Sequence, residues 1–298
     1  MTPRELVALI DRKAAEEGTP PPAAPSRRDT FKAGNPDAPI TGIFTTGMST
    51  FDVLRRAAAA GRNMIITHED TYFRDNDIPD FLGDDPVYLA KKAFIERHGL
   101  IIWRDHDLAH RMRPDQLFAG QLRVLGWTAD RIEPAPRMPI VTLPKPMTLA
   151  DLTRYCVART GTHSHRVTGD PDMIVRKVAI GVGYAFPSMP TVPDVDAIVG
   201  GESAEGSASA LPTMDQSAFA ADMTSVGRPR GIIFLGHMGT EDSPMIVTAE
   251  WLRSFVPGIP IDFLPAGEPF HRPLSGFDNT LSRRTLAPGK PERRRTRT

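Results

Sequence analysis

The sequence predicts an α/β protein. Three observations carry that prediction. Short apolar runs of four or five residues alternate with stretches of helical period, glycine closes most of those stretches, and three of the apolar runs end directly in histidine and carboxylate side chains. Ligands of open α/β proteins gather at the carboxyl ends of strands, where a rigid sheet carries side chains that loops leave free.

At 298 residues the chain can form one large domain or two lobes around ample core. Lys plus Arg equals Asp plus Glu, 36 each, so net charge gives no argument for nucleic acid or a polyanionic surface as partner. The single cysteine, Cys156, excludes an intrachain disulfide framework and fits a reducing compartment, with core packing as its role. No apolar run reaches the roughly 18 residues of a membrane span, and the N-terminus lacks the apolar core of a signal peptide. A cytoplasmic protein without membrane partners is expected.

Residues 2–17 place Leu6, Leu9 and Ile10 among charges, a helix, and the run GTPPPAAP stops it as a stiff linker. This reads as an N-terminal arm of helix and linker, residues 1–28. Turn-rich sequence follows to Pro39. A strand at 40–46, a Ser49-capped alanine-rich helix at 49–60 and a strand at 63–67 make a βαβ unit that runs into His68, Glu69 and Asp70. The acidic loop 71–86 has the length of a lid or of a solvated connection. A helix at 87–98 leads to the strand 100–103, which ends at Arg104, Asp105, His106, Asp107 and His110.

Further on, a helix at 114–125 closed by Gly126, a strand at 139–143 and a helix at 149–157 are expected. Two short strands fall within 166–179, and Gly181 and Gly183 mark close backbone approach. A strand at 195–199 leads to Gly200, Gly201, Glu202 and Glu205. A helix at 214–224, the strand 231–235 ending at His237 and Glu241, a helix at 244–255 and a last strand at 259–264 complete the order. Beyond residue 270 the composition is Pro, Gly and Arg, a disordered basic tail at 271–298 that gives only a poor nucleic-acid reading.

Repetition gives the histidines their weight. His68 with Glu69, His106 with His110, and His237 with Glu241 each follow a strand, and the last two pairs have the i, i+4 spacing that shares one helix face. Imidazoles and carboxylates in this number suit two divalent ions about 3.5–4 Å apart. Asp107 reads as an acceptor that orients a histidine. His163 and His165 read as surface residues, since no strand aims them.

The order Thr67-His68-Glu69, His106-Asp107-Leu108-Ala109-His110, Gly201-Glu202-Ser203-Ala204-Glu205 and Gly236-His237-Met238-Gly239-Thr240-Glu241 resembles the Nif-three-like dinuclear metal-binding family, also labelled type 2 GTP cyclohydrolase I. That family shows Thr-His-His, His-Thr-Asn-x-Asp, Gly-Glu-x-x-Glu and Gly-His-x-x-(Ser/Thr)-Glu. Here Glu69 stands for its second histidine and His110 for its aspartate, with Asp107 in place of His110 in an alternative alignment. Carboxylate and imidazole exchange places while the ligand count survives, as in a subgroup with Thr-His-Glu and His-Asp-x-x-His.

The resemblance implies two similar α/β lobes, about 29–145 and 146–270, packed around a dinuclear metal cleft, in protomers that form a toroidal homohexamer. It implies His68, Glu69, His106, His110, His237 and Glu241 as ligands of two divalent ions, zinc, iron or manganese. The function expected is a metal-dependent hydrolase that activates water against a small cyclic or amide-type substrate, with Glu202 or Glu205 as proton shuttle. The rival is a non-catalytic metal-binding or metal-delivery protein, or a hexameric scaffold.

Overall fold

The computed structural model describes residues 1–75, 77–127, 138–185, 187–202 and 215–270, and the backbone of 132–133. Helix α1 (Pro3–Glu16) starts in a capping box: Thr2 Oγ1 accepts from the Glu5 N–H at 3.2 Å, and the Glu5 carboxylate accepts from the Thr2 N–H at 2.8 Å. There follow β1 (Phe31–Ala33), β2 (Ile43–Thr46), α2 (Phe51–Ala59), β3 (Met64–Thr67), α3 (Pro86–Arg97), β4 (Ile101–Arg104), and the short α4 (Asp107–Arg111). The second half runs α5 (Gln116–Leu125), β5 (Ile132–Glu133), β6 (Ile140–Thr148), α6 (Leu149–Thr160), β7 (Arg166–Thr168), β8 (Ile174–Ile180) and β9 (Ala197–Gly200). It ends with α7 (Gln216–Ser225), β10 (Gly231–Phe234), the one-turn α8 (His237–Glu241), α9 (Met245–Arg253) and β11 (Ile261–Phe263).

The first sheet has the order β1-β4-β3-β2-β11, parallel except for β1. The central strands β2, β3 and β4 are buried at every residue because both faces are covered. Alternate residues divide between two cores: Ile43, Met64, Ile66, Ile101 and Trp103 pack with α1 and α9, while Phe44, Ile65 and Ile102 pack with Leu54, Ala57 and Ile95 of α2 and α3. Leu6, Ile10 and Ala14, four apart, lay one face of α1 into the first of these cores, so the N-terminal helix docks on the sheet. Strand β1 lies where the sequence shows only turns. At three residues it is too short to display a period, and only its pairing to β4 identifies it.

The second sheet has the order β5-β6-β8-β9-β10-β7, with β8, β9 and β10 parallel and the outer strands antiparallel. Val178, Ile180, Val199 and Ile233 pack under α5 and α6, and Ile198, Ile232 and Phe234 pack with Ala220 of α7 on the opposite face. Strand β6 runs past the expected end at residue 143 to Thr148, through a register irregularity after Thr142 that accommodates Pro144 and Pro146. The molecule is thus a two-lobed α/β fold. Among the described residues no helix is long and apolar enough to cross a membrane.

Candidate metal centre

The carboxyl ends of β3 and β4 in one lobe and of β8, β9 and β10 in the other open onto a single cleft. Its cavity measures about 990 Å³ and is walled by Glu69, His106, His110, Glu202, His237 and Glu241 among others. His68 lies just behind this wall, fully buried.

The six candidate side chains come together. Glu69 Oε1 lies 3.6 Å from His106 Nε2 and 3.3 Å from His237 Nε2. Glu241 Oε2 lies 2.8 Å from His237 Nε2 and 3.7 Å from His68 Nε2. The His68 ring stacks on that of His106 with centroids 4.5 Å apart, and His110 meets both edge-on at 5.1 and 5.0 Å. The contacts close a ring: Glu69 links His106 to His237, Glu241 links His237 to His68, and His68 stacks back on His106. Two triads in it bring one donor atom from each member within 4.8 Å of the others: His68, His106 and His110, and His68, Glu69 and Glu241.

Each imidazole is oriented from behind. Nδ1 of His68 lies 3.0 Å from the Asp105 carbonyl, that of His106 3.0 Å from Asp107 Oδ1, that of His110 2.9 Å from Asp115 Oδ2, and that of His237 2.8 Å from Glu202 Oε1. A ring nitrogen facing an acceptor must carry the proton, so in each neutral ring the lone pair falls on Nε2, toward the cluster. Asp107 has both oxygens occupied, by His106 and Arg28 on one and the Ser26 hydroxyl on the other. Asp29 accepts from the N–H groups of His106, Asp107 and Leu108 at 2.8–2.9 Å, fixing the start of α4 and with it the directions of His106 and His110.

Arg104, wholly buried, braces the other side. Its guanidinium donates to Glu69 Oε2 at 2.9 Å and to the His68 carbonyl at 2.9 Å. Burial opposes ionisation of Glu69, yet the His237 hydrogen bond and the Arg104 charge hold its carboxyl below the ordinary range. Beneath them Asp105 is pushed up to about 8, by burial first and by the charges of Asp29 and Asp11 next.

Burial lowers the pKa of His68 far below its ordinary value, with the neighbouring His106 and His110 adding to the effect, so its ring is neutral. For His237 burial also lowers, but hydrogen bonds to Glu202, Glu241 and Glu69 outweigh it and push the ring up to about 12. An imidazolium thus supplies the positive charge among three carboxylates, a role divalent cations would fill with the ring deprotonated. One atom of the ring remains unsatisfied although buried: His68 Nε2 has no hydrogen-bond partner, and Glu241 Oε2 beyond it is met by His237 Nε2 alone. Such orphans are rare in folded proteins and call for an ion or water. The donor set fits cations that accept imidazole and carboxylate together.

Glu202 stands on the cleft wall, tied to His237, and also takes the Tyr184 hydroxyl. Glu205 lies outside the described residues. His163 is part-buried with Nδ1 3.1 Å from Glu268, and His165 is exposed. Asp29, Asp115 and Tyr184 belong to the site without belonging to any motif in the chain. Of these only Asp115 leaves a local signal, as the aspartate that caps α5 through its other oxygen.

No family model matches the chain, and no curated protein does. Solved structures do. A Staphylococcus aureus protein, SA1388, superposes with a TM-score of 0.66 at 15% identity, covering 92% of this chain and 99% of its own. The protein ybgI, described as of unknown function, gives 0.63 at 20% identity over 91% and 100%, and a Bacillus cereus protein related to NIF3 gives 0.65 at 12% identity over 92% and 98%. The chain has the NIF3-like fold over nearly its whole described length.

Proposed function

We propose that the chain is a member of the Nif-three-like family and a metal-dependent hydrolase, with His68, Glu69, His106, His110, His237 and Glu241 holding two divalent ions, zinc, iron or manganese. The observation that carries this reading is the buried, unpartnered His68 Nε2, 3.7 Å from Glu241 Oε2 in a cluster whose four imidazoles are each held from behind at Nδ1. Cations bound there would supply Lewis acidity and bring the pKa of water toward neutrality. The chain's own contribution is orientation: Asp105, Asp107, Asp115 and Glu202 set the rings, Arg104 sets Glu69, and Glu202 or Glu205 serves as proton shuttle. The cavity beside the cluster has room for a small cyclic or amide-type substrate, which favours catalysis over a closed storage site.

The same reading takes the protein as a cytoplasmic homohexamer without nucleic-acid or membrane partners. Light scattering checks the assembly. The decisive experiment is elemental analysis of purified chain, followed by a hydrolysis screen over cyclic amides and nucleotides with each metal restored. About two divalent ions per chain, lost in His68→Ala and in Glu241→Gln, support the ligand set, and unchanged content in both variants defeats it. Full occupancy without turnover on any substrate favours the metal-delivery or scaffold reading.

A further inference from the structure

Aromatic side chains carry large apolar surface, and folding normally removes it from water. Among the described residues four are left strongly exposed, Phe73, Phe81, Tyr184 and Phe270, and all but Phe81 stand on the wall of the cleft. They arrive from three unrelated segments. Phe73 is in the loop after β3 of the first sheet, Tyr184 in the turn after β8 of the second, and Phe270 in the segment that follows β11. The exposed aliphatic residues Ile78, Val87 and Leu89 lie off the cavity wall, so the concentration is of aromatic rings and not of apolar surface in general.

Each ring is also held where it is. Phe73 has φ +63°, a left-handed conformation that bulky residues avoid, and the loop keeps it there through Asp77, whose Oδ1 accepts from the Thr71 and Tyr72 N–H groups at 2.5 and 2.9 Å. Tyr184 follows Gly183 in a turn closed by the Val182–Ala185 bridge, and its ring meets that of His237 at 84° with centroids 5.0 Å apart. The segment bearing Phe270 is fixed by Asp242, which accepts from Ala266 and Gly267, and by Glu268, which accepts from the His163 N–H at 2.8 Å. Tyr184 is 68% exposed and Phe73 55%, so both present free ring surface beside the cluster.

We propose that the substrate of this cleft carries a flat aromatic ring, received against Phe73, Tyr184 and Phe270, with Tyr184 setting its distance from His237. Offset and edge-to-face packing between rings, with centroids about 4.5–7 Å apart, rewards a planar unsaturated group over a puckered saturated one of equal size. The inference rests on the hydrolase reading of the same site and adds what that site recognises.

The test compares benzamide with cyclohexanecarboxamide by calorimetry or ligand-observed NMR on the full chain, with and without added zinc. Benzamide should bind roughly three- to tenfold more tightly. Tyr184→Phe should keep that preference, while Tyr184→Ala and Phe73→Ala should each remove most of it with circular dichroism unchanged, and Phe73→Ala should leave metal content unchanged as well. Equal affinities, failure of both amides to bind, or a preference that survives both alanine substitutions overturns the proposal. Metal uptake is read separately: a chain that binds no cation defeats the hydrolase reading, whereas a metal-loaded chain indifferent to the ring defeats this inference alone.

Discussion

Glu202 Oε1 sits 2.8 Å from His237 Nδ1, so a carboxylate at the end of β9 fixes the imidazole that meets Glu69 of the other lobe at 3.3 Å. Replacing Glu202 by Gln keeps the shape and removes the charge that favours an Nδ1 proton. Metal affinity should fall about 10- to 100-fold, the usual effect of losing a partner behind a ligating histidine, with little change in thermal stability. Competition titration against a chromophoric chelator reads it.

Gly183 passes so close to the cluster that an added Cβ would meet Glu241 Oε1 at 2.0 Å and His237 Nε2 at 2.9 Å, and its φ is +48°. Gly183→Ala should displace Glu241 and lower metal content. Gly227, at φ +75° with nothing within 4 Å of an added Cβ, is the control. Gly227→Ala should lose roughly 1–2 kcal/mol from the left-handed backbone alone and bind metal normally. Denaturant unfolding and elemental analysis of both variants separate strain from collision.

Arg104 and Glu69 form an ion pair at 2.9 Å with the guanidinium wholly buried. Removing the guanidinium leaves buried Glu69 with His237 as its remaining cation, so Arg104→Met should destabilise the fold by about 3 kcal/mol in urea unfolding, the low end for a broken buried pair. A loss below about 1 kcal/mol would show that Glu69 finds another counter-charge.

Asp105 has its carboxyl raised from 3.8 to about 8, chiefly by burial. Between those values the unfolded chain has released this proton and the folded chain still holds it, so the folded state binds more protons and stability falls as pH rises. This group's contribution is fully present below about pH 4 and gone above about pH 8, with a slope of at most about 1.4 kcal/mol per pH unit. Asp105→Asn should flatten that slope, gaining on the parent as the solution is taken from mildly acidic to mildly basic. Parallel unfolding curves across that range would show that Asp105 ionises freely in the folded chain.

The strand ends were legible because they couple two simple signals, a buried apolar run and a polar side chain directly after it: Ile65 and Ile66 before His68, Ile102 and Trp103 before His106, Ile233 and Phe234 before His237. The supports behind the rings were not. Asp29 reaches the N–H groups of His106 to Leu108 across 77 to 79 positions, and no periodicity spans such a distance. Arg104 and Asp105 were visible beside the motif, but whether a charged residue at a strand end faces solvent or turns inward depends on what covers it, here the Asp75 and Asp77 loop and the segment bearing Asp29. Tyr184 shows no pattern at all, since its position follows from a turn closed by a single bridge.

Strand β11 lies beside β2 in the first sheet although about two hundred residues separate them in the chain. During synthesis on a ribosome, β1 to β4 emerge early, but the edge of their sheet stays open until Phe263 has left the exit tunnel. The whole second lobe must be made in the interval. A gene cut between the lobes would yield a first fragment with a bare parallel edge, prone to pairing with its own copies, and only joint production of both pieces would restore the closed sheet.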